Sequence, residues 1–144
     1  MQGGCFCGSV RYELKKPPHD AYFCHCRDCQ YLAGAPFHTL AIVDRGSIDI
    51  VCGETSAFHH QSQSGTDMKR EFCPKCGTPL FITSPRFEDI QMFTPTTLDN
   101  PDAVRPSFQI WARSKIDWMP LIPEINCYQY GALDGDIEPQ PEED

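Results

Sequence analysis

The chain lacks any apolar run long enough to cross a membrane as a helix, which excludes a helical membrane protein. It also lacks basic excess: twenty acids face twelve lysines and arginines, for a formal charge of −8. Nucleic acid and anionic membrane surfaces are therefore poor electrostatic partners. Asp134, Asp136, Glu138, Glu142, Glu143 and Asp144 fall in the last stretch with no base among them. A secretory leader is not expected, because Met1-Gln2-Gly3-Gly4 runs directly into the first cysteine pair. Internal repeats are missing, apart from a loose likeness among the cysteine knuckles. Long helical stretches are missing too, and thirteen prolines and ten glycines in 144 residues argue for short strands and turns. A hydrophobic content of 40% is that of a folded domain, and this length makes one domain the default.

Cysteine is what the chain has in excess, with nine. An odd count and CxC or CxxC spacings do not suit a disulfide scaffold, which joins distant segments. Short-range doublets bring two sulfurs to one ion. The reading is zinc, two per chain, in a reducing cytoplasm.

Cys5-Phe6-Cys7 and Cys73-Pro74-Lys75-Cys76-Gly77 together supply four ligands, the number a structural zinc takes. Cys24-His25-Cys26-Arg27-Asp28-Cys29 supplies three sulfurs and leaves a corner for chemistry. Cys52, Cys127, His25 or Asp28 could close that corner and make the site inert. An open three-thiolate zinc is blunted toward water and suited to binding another thiol, which points to thiol activation.

Along the chain, Val10, Tyr12 and Leu14 alternate with polar residues as a half-buried strand does. Residues 27 to 33 read as two helical turns stopped by Gly34. A β-meander is expected from Phe37 onward: Phe37 to Val43, Ile48 to Val51, Ser56 to His60, Met68 to Phe72, Pro79 to Thr83 and Ile90 to Phe93. Phe108 to Trp111 is a further strand, and Ser114 to Trp118 is expected to close the core. The domain is set at residues 1–124. Residues 125–144 are expected to be an acidic tail, partly disordered.

Three segments carry a resemblance: Gly3-Gly4-Cys5-Phe6-Cys7-Gly8-Ser9-Val10-Arg11-Tyr12-Glu13, Cys24-His25-Cys26-Arg27-Asp28-Cys29 running on to Gly34-Ala35-Pro36-Phe37, and Phe72-Cys73-Pro74-Lys75-Cys76-Gly77-Thr78-Pro79-Leu80-Phe81. In order and spacing they resemble the glutathione-dependent formaldehyde-activating enzyme family, which shares its domain with centromere protein V. The resemblance implies a mainly β chain, a β-tent fold of small antiparallel sheets stapled by zinc, with at most one or two short helices. It assigns Cys5, Cys7, Cys73 and Cys76 to a structural zinc, and Cys24, Cys26 and Cys29 to a catalytic one. The implied activity joins formaldehyde to the glutathione thiol as S-hydroxymethylglutathione, a carbon–sulfur lyase reaction in reverse. A small thiol and a small aldehyde would be the partners, and a homo-oligomer is compatible. Many members have a histidine where this chain has Gln109. The rival reading is a zinc-stapled scaffold that binds without turnover.

Other residues carry expectations of their own. His25 is expected to point outward from its knuckle, and Asp28 to form a turn or accept from knuckle amides. His38 is expected as a satisfied core histidine and His59 and His60 as surface. Trp111 and Trp118 are expected in the core. Arg11, Lys69, Arg70, Arg86 and Arg113 are candidates for a ligand's carboxylates.

Overall fold

A computed structural model describes residues 1–131, and the acidic stretch from Asp134 lies outside the described residues. The chain is mainly β. Its strands are β1 (Gln2–Gly4), β2 (Arg11–Leu14), β3 (Asp20–Cys24), β4 (His38–Asp44), β5 (Ile48–Cys52), β6 (Ser56–Gln61), β7 (Asp67–Phe72), β8 (Pro79–Thr83), β9 (Ile90–Phe93), β10 (Phe108–Ile110) and β11 (Asn126–Cys127). The single α-helix among the described residues is α1 (Arg27–Ala33). It runs over the residues its sequence signals predict. The Cys26 side chain accepts from the Cys29 amide at its start, and Gly34 takes the left-handed conformation (φ 62°) at its end.

Two sheets form. One has three strands in the order β1-β2-β5, the other eight in the order β11-β10-β3-β4-β9-β8-β7-β6. The expected meander is broken at β5, which leaves β4 to pair with β2 in the small sheet. Strand β10 is also unlike a meander, since it lies parallel to both β3 and β11. Strand β11 lies past residue 124, where the domain was expected to end, and it joins the sheet through Phe108 and Gln109.

The large sheet is buried on both faces because its central strands alternate between two apolar clusters. Ala41, Val43, Phe81 and Phe93 pack with Tyr12 and Leu14 of the small sheet and with Val10, Cys5 and Cys73. Their neighbours Leu40, Ile42, Ile82 and Met92 pack on the other side with Tyr22, Cys24, Cys29 and Ile110. A side-chain period of two thus places the two cysteine sets on opposite faces of one sheet. Tyr12 is fully buried, with its ring edge-on to Phe81 at 5.3 Å. Trp118 does not close the core: it is 73% exposed. Trp111 is half-buried against the second cluster. None of the described helices is long and apolar enough to cross a membrane.

Candidate metal centre

All nine cysteines are free thiols, and seven gather in the two expected sets. Within each set the sulfurs lie within 4.8 Å of one another. In the first, Cys5 and Cys7 Sγ are 3.6 Å apart and Cys7 and Cys73 Sγ 3.8 Å apart. Four sulfurs at zinc–sulfur distance on a tetrahedron stand about 3.8 Å apart, so the spacing fits that ion. Backbone N–H groups point at the sulfurs, from Val10 to Cys5 at 3.2 Å and from Lys75 to Cys73 at 3.4 Å. These donors stabilise thiolates. The Cys76 thiol is drawn down to about 5, first by the Thr78 hydroxyl 3.1 Å away.

In the second set, Cys24 ends β3, Cys26 caps α1 and Cys29 lies in its first turn. The helix therefore folds the third sulfur back over the strand end. Hydrogen bonds from the Cys24 and Cys26 thiols, then His38 and the charge of Arg70, hold the Cys29 thiol well below its usual range despite burial. Hydrogen bonds with Cys26 and Cys29, then burial, push the Cys24 thiol up. Three sulfurs are a fitting donor set for zinc, and among the described residues no histidine, cysteine or carboxylate completes a fourth corner. Cys52, Cys127, His25 and Asp28 do not join it. Cys52 and Cys127 are exposed, at the ends of β5 and β11.

The three sulfurs open onto a cavity of about 110 Å³. Tyr22, Leu40, Met68, Met92 and Ile110 give it apolar walls, Trp111 and Gly131 close one side, and Ser62, Ser64 and Thr66 from the β6–β7 turn form the rim. Trp111 holds a left-handed backbone (φ 56°) rarely taken by large side chains. Its amide bonds the Tyr130 carbonyl at 3.2 Å, and its ring meets the Tyr130 ring edge-on at 5.8 Å. Asp28 lines the cavity as well.

His25 is buried rather than outward. Its Nε2 donates to Gln109 Oε1 at 3.0 Å, its ring packs on Phe37 at 5.6 Å, and burial lowers its affinity for a second proton. It does not line the cavity. Gln109 does not line it either: it bonds His25 and also Ile122, donating to the carbonyl at 2.9 Å and accepting from the amide at 3.3 Å. His38 is a satisfied core histidine on one side, with Nε2 3.0 Å from Thr94 Oγ1.

Of the five basic candidates, Arg70 lines the cavity. Arg11 forms a two-pronged ion pair with Asp99 at 2.9 and 2.5 Å, Lys69 sits 4.0 Å from Glu71, and Arg113 lies over the Tyr130 ring. Arg86 donates to Thr66 Oγ1 at 3.1 Å. Sequence reasoning did not single out the Ser62, Ser64 and Thr66 rim, whose signal was a polar stretch between two strands.

A family model described as glutathione-dependent formaldehyde-activating enzyme matches residues 1–114. A Halomonas elongata protein with the provisional name glutathione-dependent formaldehyde-activating enzyme is 25% identical over 127 residues, covering 84% of this chain and 80% of that protein. A solved Rhodobacter sphaeroides protein structure superposes with a TM-score of 0.56 at 22% identity, covering 71% of this chain and 93% of that one. That last likeness is one of fold.

Proposed function

Because the chain belongs to the glutathione-dependent formaldehyde-activating enzyme family, we propose that it is a two-zinc carbon–sulfur lyase-type enzyme, S-(hydroxymethyl)glutathione synthase-like, working in the cytoplasm. It would join a small thiol such as glutathione to a small aldehyde, and split the adduct in reverse. In the joining direction a sulfur–carbon bond forms, the carbonyl π bond breaks, and the thiol proton ends on the new hydroxyl. Cys5, Cys7, Cys73 and Cys76 hold the structural zinc in this reading. Cys24, Cys26 and Cys29 hold the catalytic one. When bound there, zinc supplies a place for a thiol as its anion.

The observation that carries the proposal is a three-sulfur set opening onto a cavity, with no fourth protein ligand among the described residues. The remaining work belongs to the chain. Cavity walls of Tyr22, Leu40, Met68, Met92 and Ile110 exclude water, which favours the free aldehyde over its hydrate. The volume suits a one- or two-carbon aldehyde, while a longer thiol would extend past the Ser62–Thr66 rim.

Exchange NMR with glutathione and 13C-formaldehyde tests this. The expected result is faster interconversion of free and adduct formaldehyde with the wild type than with buffer or Cys26→Ser. Equal rates in all three samples would leave the zinc-stapled scaffold as the better reading.

A further inference from the structure

Arg70 is the one cation in the cavity wall among the described residues. It leaves β7 opposite Phe58 of β6, and residues two apart on a strand share a face, so Phe58 and His60 both flank it. Arg70 Nε donates to His60 Nε2 at 3.0 Å. An arginine N–H can only donate, so His60 Nε2 accepts and the proton of the neutral ring sits on Nδ1. That Nδ1 lies 3.2 Å from the Gln61 carbonyl, and the Phe58 ring stacks on the imidazole at 5.7 Å. The guanidinium is thus fixed by the hairpin and aimed at the sulfurs. Its Nη2 stands 3.6 Å from Cys29 Sγ, and Nη1 has no hydrogen-bond partner among the described residues.

Three cysteine thiolates around a dication carry a net charge of −1. A sulfur anion arriving beside them raises this to −2, with the Asp28 carboxylate on the same wall and the other walls mostly apolar, so uncompensated charge is costly. A neutral ligand adds no such burden. We infer that Arg70 decides the charge of what the cavity accepts, allowing a thiolate anion to join three sulfurs that are already negative. The inference rests on the reading of Cys24, Cys26 and Cys29 as metal ligands. A planar fork can face His60 and Cys29 together, which a lysine ammonium cannot do with the same geometry. Lysine would still return the positive charge.

The test uses cobalt-substituted protein, titrated separately with 2-mercaptoethanol and imidazole and followed by visible absorption. The first probe binds as an anion and has no carboxylate, and the second binds neutral. Arg70→Gln should weaken 2-mercaptoethanol binding about tenfold or more and leave imidazole within about twofold. Arg70→Lys should recover part of the loss. Equal weakening of both probes, or none for the thiol, overturns the inference. So does loss of cobalt from both variants, which would place Arg70 in retention of the ion itself. If wild type takes imidazole and ignores the thiol, the proposed function fails along with it, an outcome distinct from failure of Arg70 alone.

Discussion

The buried Gln109 amide accepts from His25 and from the Ile122 amide and donates to the Ile122 carbonyl. One side chain thereby ties the loop between two cysteines to a segment far along the chain. Gln109→Leu leaves those groups unpaired and should cost about 2 kcal/mol in urea unfolding. It should perturb the second sulfur set without touching the cavity wall. The expectation that His25 turns outward failed for the same reason, since its partner lies 84 positions away and no local pattern announces it. Tyr12 gives a residue-scale pH effect. Burial, outweighing the opposing pull of its 2.7 Å bond to Thr97, lifts its hydroxyl from 10 to about 12. The folded state then holds that proton more tightly than the unfolded one, so stability is intact below pH 10 and falls as pH rises toward 12. Tyr12→Phe should be less stable than wild type at pH 8, and the gap should narrow between pH 10 and 12, as measured by denaturant midpoints.

At the scale of elements, α1 was legible because its signals are local. Cys26 caps it, Gly34 ends it, and both act within a few residues. Strand β5 was legible as a strand but not as a member of the small sheet, because its partner β2 is chosen by which apolar face needs covering. The sulfur sets were readable from spacing, and their fates should differ on mutation. Cys26→Ser should keep the fold and lower the metal content from two ions per chain to one, by elemental analysis. Cys73→Ser removes a fully buried member of the four-sulfur set between β1–β2 and β7–β8, and, if that set holds the proposed zinc, should forfeit metal-linked folding energy on the order of the whole net stability. Gly53 closes β5 with φ 79°, and a Cβ there would overlap the Ser9 carbonyl oxygen. Gly53→Ala should therefore destabilise the small sheet by more than 1 kcal/mol, read by thermal unfolding.

Across the whole molecule, the large sheet stands between the two sulfur sets, with Phe81 on one face and Ile82 on the other. A chelator added to the native protein should remove metal in two phases. The three-sulfur set, reached through the cavity, should empty first while circular dichroism holds, and the four-sulfur set should empty only with unfolding. The mainly β class and the pairing of cysteines into sets could be read in advance. The cavity could not, because its walls come from α1, β3, β4, β7, β8, β9, β10 and the β6–β7 turn. The parallel placement of β10 between β3 and β11 bears on synthesis as well. Both sulfur sets leave the ribosome well before Phe108, so a nascent chain can be metallated while the second set is still roofless. A chain stalled before Phe108 should exchange that ion faster than the finished protein does, and the arrival of β10 and Trp111 then sets when the chamber shuts.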